Sequence, residues 1–124
     1  MLLESLEAQN FRNLQGVIAF ASGINILVGE NGQGKTNWLE AIGVLASTRS
    51  FRTPRLQDAI RFGSETAMVR GLVRESPEIV RELKVIANGN TKTVLVNDKK
   101  ETVHGYLAVV GHGIQEAPGP LYTG

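Results

Sequence analysis

Alternation of apolar and polar positions predicts strands in the first part of the chain. Apolar residues alternate with polar ones up to about Phe11, and a turn at residues 12–16 leads to a second short strand over residues 17–20. Two short strands with a tight link favour an antiparallel hairpin. A nearly continuous β-branched run at residues 24–28 is typical of a third strand that is covered on both faces.

Helical spacing replaces this alternation after the third strand. Apolar residues recur three and four positions apart and predict a helix from about Lys35 to Ala46. Thr53-Pro54 interrupts the pattern, and residues 56–60 have room for one or two helical turns. The apolar positions of the longer helix are Trp38, Leu39, Ile42, Leu45 and Ala46.

Strand patterns return in the second half of the chain. Residues 68–73, 79–87 and 92–97 predict three strands, and Asn88-Gly89-Asn90 predicts a hairpin turn between the last two. Residues 107–110 form a short apolar run that we interpret as a further strand.

The periodicity ends at Gly111, where glycine and proline become frequent. We therefore expect residues 1–110 to form the amino-terminal part of one domain and residues 111–124 to form an irregular tail.

Composition limits the classes of protein that remain possible. A chain of 124 residues allows one domain, and 42% hydrophobic with 20% charged residues argues against disorder. No apolar run approaches the roughly 20 residues that a membrane span needs, and we recognise no signal peptide at the start. The sequence contains no cysteine, which excludes disulfides and thiol nucleophiles. We expect a cytoplasmic protein that does not interact with membranes.

The net charge of +1 is distributed unevenly along the chain. Residues 46–74 contain six arginines but only Asp58 and Glu65 as acidic residues, a local charge of +4. Arginine suits forked contacts with phosphate, which favours a nucleic-acid surface. A solvent-exposed loop and helix face explains the same charge equally well.

One motif carries specific chemistry. Residues 29–36 satisfy G-x-x-x-x-G-K-[ST], in which glycines let successive backbone N–H groups surround a phosphate. Lys35 would reach the β- and γ-phosphates of a nucleotide, and the Thr36 hydroxyl would coordinate Mg²⁺. The helix that begins there adds the positive end of its dipole. The predicted ATP-binding residues of the loop are Gly29, Glu30, Asn31, Gly32, Gln33, Gly34, Lys35 and Thr36.

The surroundings of the motif indicate the kind of nucleotide-binding fold. A buried-type strand precedes the loop and an amphipathic helix follows it, as a phosphate loop requires. The alternative, a glycine-rich turn with an unrelated lysine, would not require either element. Two strands before the loop and three antiparallel strands after the helix fit an ATP-binding-cassette lobe. We therefore predict an α/β fold: lobe I of a P-loop NTPase of this type, truncated, with an antiparallel β layer beside the nucleotide-binding core.

Several segments together resemble a known family. Residues 10–13 (NFRN), 23–37 and 39–42 (LEAI) are similar to the amino-terminal lobe of SMC-like ATPases. Residues 48–53 (TRSFRT) resemble the RecF family within that group. The resemblance extends from residue 1 to about Val110.

The resemblance implies a replication and recombinational-repair ATPase. Members of such a family would dimerise around two ATP molecules and, with ATP bound, bind single-stranded or gapped DNA together with the mediators RecO and RecR. Carried over to this chain, residues 29–36 would hold ATP and Mg²⁺, and Arg12 and Asn13 would lie near the nucleotide. Arg49 and Arg52 would belong to a DNA-binding region.

The chain also departs from the family pattern. It contains no apolar run that ends in Asp-Glu and no signature-like Leu-Ser-Gly-Gly-Gln string, so no catalytic residue is assigned and hydrolysis by the chain alone is not expected. Residues 111–113 do not continue the family pattern. Alternatives are another SMC-like ATPase, such as an ATP-gated nuclease of the overcoming-lysogenisation type, and a nucleotide-binding fragment without activity. Residues 48–53 favour the RecF interpretation.

Other polar residues have simpler explanations. Glu30 is expected to face solvent or a neighbouring strand rather than act as a catalytic base. Glu40 is expected to face solvent or cap the helix rather than bind a metal. Without the family resemblance, Arg12 and Asn13 would be turn residues that serve the backbone. The two histidines of the chain have no partner at metal-ligand spacing. Trp38 is expected in the core rather than on a base-stacking surface.

Overall fold

The computed structural model describes residues 2–19 and 32–115, which form an antiparallel sheet with two α-helices. The predicted strand at residues 24–28 lies outside this part of the chain. In chain order the elements are β1 (Leu2–Phe11), β2 (Leu14–Ala19), α1 (Gly32–Ser47), a 3₁₀ helix (Leu56–Ala59), β3 (Thr66–Ser76), β4 (Ile79–Asn88), β5 (Thr91–Val96), β6 (Lys99–Glu101) and α2 (Val103–Gln115).

The six strands lie in the order β2-β1-β3-β4-β5-β6, and each neighbouring pair is antiparallel. The predicted hairpins at the start of the chain and at Asn88-Gly89-Asn90 are confirmed, as are the three strands of the second half. The predicted helical turn after Thr53-Pro54 is also confirmed. Strand β6 was not predicted, because its three residues are all exposed and have no apolar alternation.

One face of the sheet forms the core. Buried residues alternate along the strands and line up across them, so that Ala8, Val69, Val85 and Val94 form one row over four strands. Helices α1 and α2 pack against this face. The tightest approach is at Gly71, where an added Cβ atom would lie 2.3 Å from Cδ2 of Leu45 in α1. Glycine at this position therefore lets α1 lie close to β3.

The opposite face of the sheet is charged. Arg70 donates to Glu82 at 2.5 Å and to Glu7 at 3.3 Å, which belong to the two neighbouring strands. Arg74 forms an ion pair with Glu4 on β1 at 2.5 Å. The interpretation of residues 46–74 as one basic region is therefore wrong in part, because carboxylates that are distant in sequence neutralise two of its arginines.

The predicted strand at residues 107–110 is wrong, since these residues lie within α2. Tyr106 and Val110 are buried one helical turn apart, whereas Leu107 is 38% exposed. A short apolar run does not distinguish a strand from a helix by periodicity, which explains the error. The helix continues to Gln115, so the first residues of the predicted irregular tail are helical. The domain boundary near residue 110 stays a prediction.

The buried face of α1 is rotated from the predicted one. Trp38 and Ile42 are only half-buried and Ala46 is exposed, whereas the centre of the buried face lies at Ala41 and Val44. The same face contains Asn37, Glu40 and Thr48, three polar residues that are 3% exposed or less. Trp38 packs against the core, as expected.

Tyr106 links the two helices through a buried hydrogen bond. Its hydroxyl donates to the carbonyl oxygen of Leu45 at 2.5 Å. That carbonyl belongs to the last turn of α1, where carbonyl groups lack an intrahelical partner. Burial raises the pKa of Tyr106, so the hydroxyl keeps its proton over the physiological range.

Replacing Tyr106→Phe should lower the free energy of unfolding by about 1–3 kcal/mol, because the buried Leu45 carbonyl would lose its partner. Urea denaturation of both proteins measures the difference. Ser64→Ala is the control, since the Ser64 hydroxyl makes no hydrogen bond within the described residues. Equal stability of the Tyr106 variant and the control would show that the hydrogen bond does not contribute.

Candidate nucleotide-binding site

The second half of the phosphate-loop motif opens helix α1. Gly32, Gln33 and Gly34 begin the helix, and Lys35 and Thr36 complete its first turns. Gly29, Glu30 and Asn31 lie outside the described residues. The first turn contains no acidic residue, so the positive end of the helix dipole is not neutralised from within the helix. This end of α1 is suited to an anion.

Glu40 is the centre of a polar network one turn further along α1. Its carboxylate is fully buried and accepts two hydrogen bonds from Arg12, from Nε to Oε1 at 2.8 Å and from Nη2 to Oε2 at 2.9 Å. This forked geometry is the strong form of an arginine–carboxylate pair. The expectation that Glu40 faces solvent or caps the helix is therefore wrong.

The segment after α1 returns to the same carboxylate. Ser50 Oγ donates to Glu40 Oε2 at 2.6 Å, and Arg52 Nη1 donates to Glu40 Oε1 at 3.1 Å. The same Arg52 nitrogen donates to Asn37 Oδ1 at 2.7 Å. Arg52 was predicted to contact DNA, but its guanidinium is engaged with two residues of α1.

A second amide contact completes the network. Asn37 Nδ2 donates to Asn13 Oδ1 at 2.7 Å, so the turn between β1 and β2 is fixed to the residue that follows Thr36. The network thus joins three segments beside the start of α1. Its members are Arg12, Asn13, Asn37, Glu40, Ser50 and Arg52.

The turn that carries Arg12 has an unusual backbone. Asn10 and Arg12 have positive φ values of 55° and 54°; Asn10 lies within the register shift between Gln9 and Phe11, and Arg12 directly follows Phe11. Backbone hydrogen bonds hold this geometry, from Arg12 N to Ala59 O at 2.6 Å and from Arg61 N to Asn10 O at 2.8 Å. The turn therefore rests on the 3₁₀ helix, which orients Arg12 toward Glu40.

Electrostatics keep Glu40 ionised although it is buried. Burial alone would raise the pKa of its carboxyl, but hydrogen bonds from Arg12 and Ser50 and the positive charges of Arg12 and Arg52 outweigh that effect. The net result is a pKa below the ordinary value of 4.5. The hydrogen bond to Glu40 likewise raises the pKa of Arg12.

The structure brings together part of the predicted site. Arg12 and Asn13 lie beside the helix that begins with the loop residues, whereas Arg49 takes no part in the network. Sequence reasoning missed Asn37, Glu40 and Ser50. The sequence position of Glu40 could have identified it, because Glu40 lies on the same side of the helix as Asn37 and Val44. Among the described residues no cluster of His, Asp or Glu could hold a metal ion.

Comparison with known proteins identifies the class to which this arrangement belongs. The family described as the RecF/RecN/SMC N terminal domain matches residues 2–110, and the chain belongs to that family. Within it, the chain is similar to the DNA replication and repair protein RecF. RecF of Geotalea daltonii is 38% identical over 115 residues, which cover 89% of this chain and 31% of the relative. RecF of Pediococcus pentosaceus is 43% identical over 103 residues, which cover 82% and 27%.

Solved structures agree with this assignment. The recombination mediator protein RecF–ATPrS of the RecFOR pathway superimposes with a TM-score of 0.75 at 34% identity, over 85% of this chain and 29% of that protein. An SMC ATPase head gives a TM-score of 0.79 at 24% identity and supports the fold alone. The predicted fold class is confirmed: this is part of a P-loop ATPase lobe of the RecF and SMC type. The chain spans about a third of the length of the RecF relatives.

Replacing Glu40→Gln should lower the free energy of unfolding at pH 7 by about 1.5–3 kcal/mol, because two arginines lose their charged acceptor. The pKa of Glu40 is lower in the folded chain than in the unfolded chain, so its stabilisation is present above about pH 4.5 and is lost as the pH falls through the folded value. The difference between the two proteins should therefore shrink under acidic conditions.

Urea denaturation between pH 7 and pH 3 measures this dependence. Glu78→Gln is the matched control, since Glu78 is exposed and its carboxylate has no ion-pair partner among the described residues. A stability difference for Glu40→Gln that stays constant over the whole range would contradict an ionised, arginine-bound carboxylate.

Proposed function

We propose that this chain is the amino-terminal, ATP-binding lobe of a RecF-type DNA replication and repair protein. The observation that carries the proposal is the position of Lys35 and Thr36 on the first turns of α1, beside the turn that holds Arg12 and Asn13. The solved relatives named RecF–ATPrS and RecF–ATP support ATP as the nucleotide.

The roles of the residues follow from their chemistry. Residues 29–36 hold the triphosphate, with Lys35 as the counter-charge of the β- and γ-phosphates. Arg12 and Asn13 lie near the nucleotide, and the network around Glu40 fixes both of them relative to α1. In this arrangement Glu40 acts as a positioning residue through Arg12.

Magnesium fits the same end of the helix. Mg²⁺ keeps several water ligands and is commonly bound by one or two protein oxygens together with substrate phosphates. The exposed residue Thr36 supplies a hydroxyl beside a helix end without acidic residues, which suits a metal that arrives with ATP. When bound, the ion neutralises charge on the β- and γ-phosphates.

The proposal extends to the complete protein. There, ATP would hold two copies together as a homodimer, and the dimer would bind single-stranded or gapped DNA in cooperation with RecO- and RecR-type mediators. The RecF names of the relatives support this role in replication and repair over an ATP-gated nuclease. We further propose a cytoplasmic location; among the helices of the described residues, none is long and apolar enough to cross a membrane.

Replacing Lys35→Ala should weaken binding of ATP with Mg²⁺ by roughly 10- to 150-fold, since a charge-assisted contact contributes about 1.5–3 kcal/mol. Isothermal titration calorimetry of both proteins measures the change. Lys99→Ala is the matched control, because Lys99 is an exposed lysine on β6, on the opposite edge of the sheet from β2. If Lys35→Ala binds ATP as tightly as the control, the assignment of the phosphate loop is wrong.

A further inference from the structure

A cleft of about 440 Å³ lies beside the carboxyl-terminal end of α1, and sequence-distant segments form it. Its walls come from residues 48–56 and from Lys92 on β5. Two cations, Arg49 and Lys92, line the cleft together with Ser50 and Thr53, and none of the described residues that line it is a carboxylate. Lys92 is 43 residues away from Arg49 in the sequence, so only the fold brings these charges together.

The charges of these two cations are not compensated by carboxylates in the part of the chain that the structure describes. Among the described residues, neither Arg49 nor Lys92 forms an ion pair with a carboxylate. Their positive charges are close enough to oppose each other: burial lowers the pKa of Lys92, and the charge of Arg49 lowers it further. A bound anion would relieve this repulsion.

The cleft is built around a strained residue. Thr48 follows the last turn of α1 with a φ of 63° and is 1% exposed. A positive φ at a β-branched residue is a genuine outlier, since helices usually place glycine there. Lys92 Nζ donates to the carbonyl oxygen of Thr48 at 2.8 Å and to its Oγ1 at 3.2 Å. These bonds fix the backbone that presents Arg49.

Lys92 retains capacity for a ligand after making these contacts. An ammonium group has three N–H donors, and Thr48 accepts two of them. The guanidinium of Arg49 makes no hydrogen bond within the described residues, where only its backbone is bonded. Arg49 and Lys92 therefore offer several unused N–H donors and two positive charges to the cleft. This combination suits a phosphate group.

The cleft is distinct from the nucleotide site. Helix α1 has 16 residues, and at 1.5 Å per residue its two ends lie about 24 Å apart. The phosphate loop is at the amino-terminal end, whereas the cleft is at the carboxyl-terminal end. The phosphates of an ATP molecule held by the loop do not reach a site at this distance, whereas a polymer of phosphodiesters is long enough to span both ends of a helix.

We infer that the Arg49–Lys92 cleft binds a backbone phosphate of DNA. The inference rests on the proposed role of the protein at DNA and locates one contact within it. Of the two predicted DNA-binding residues, the inference keeps Arg49 and leaves out Arg52, because the Arg52 guanidinium is bound to Asn37 and Glu40. It adds Lys92.

The test is fluorescence anisotropy of a labelled gapped duplex with the 124-residue chain over a series of salt concentrations. We expect weak binding in the non-specific range of about 10⁻⁴ to 10⁻⁶ M at physiological salt. Arg49→Gln and Lys92→Gln should each reduce the slope of log affinity against log salt by up to about 0.9, the value for one lost phosphate, because both residues contact the same phosphate. Lys100→Gln removes the same charge at an exposed position on β6 and should leave the slope unchanged.

Further variants separate a ligand contact from a structural role. Lys92→Gln also removes the support of Thr48, so its effect is compared with Lys92→Arg, which keeps the charge and should keep the slope. Arg49→Gln removes no side-chain hydrogen bond within residues 2–19 and 32–115 and must show the same loss on its own. Circular dichroism checks that each variant is folded.

Each remaining outcome decides between the proposals. Unchanged slopes for Arg49→Gln and Lys92→Gln, with DNA still bound by the parent chain, would overturn the cleft and leave the proposed function intact. A parent chain that binds no DNA would overturn the cleft together with the DNA-binding part of that function, whereas ATP binding is tested separately through Lys35. Binding of poly-glutamate or inorganic phosphate with the same dependence on Arg49, and at the same affinity as DNA, would also overturn the assignment to a DNA backbone.

Discussion

The described structure depends on one constraint, the ionised carboxylate of Glu40 inside the protein. A buried carboxylate without charged partners would cost several kilocalories per mole, so two arginines must converge on it. Arg12 reaches it from 28 residues away and Arg52 from 12 residues away. The same carboxylate thereby fixes the β1–β2 turn and the segment after α1 relative to the start of that helix. Removing one partner would leave the others without compensation, which makes the positions of all three segments interdependent.

Local patterns predicted most of the sheet because its strands have one buried face. Val69, Val85 and Val94 follow the strict alternation that period-two reasoning detects. The same reasoning was wrong at residues 107–110, where a short apolar run is compatible with a strand or a buried helix. The expectation for Glu40 was wrong for a different reason, because a charged residue type normally indicates solvent. The helical position of Glu40 beside Ala41 and Val44 indicated the buried face, but its partners come from distant segments that no local pattern identifies.

The distribution of charge along the sequence was misleading in another way, because carboxylates from other segments neutralise part of the predicted basic region. Arg70 and Arg74 are paired with glutamates of neighbouring strands, and Arg52 is paired with Glu40. Arg49 and Lys92, which lie in different segments, do face each other, and neither pairs with a carboxylate among the described residues. The net charge of a sequence segment therefore does not show which of its cations are available to a ligand. That depends on which carboxylates the fold places beside them.

Helix α1 connects two sites, and the partial charges at its two ends have opposite signs. Its amino-terminal end attracts an anion through backbone dipoles, whereas its carboxyl-terminal end has negative dipole character and attracts cations. Lys92 satisfies that end by donating to the Thr48 carbonyl, and in doing so it brings a positive charge next to Arg49. The strained conformation of Thr48 directs the chain back along the helix, so that Ser50 and Arg52 reach Glu40. The geometry of the cleft and the contact between Arg12 and Glu40 therefore both depend on the path of the chain over residues 48–52.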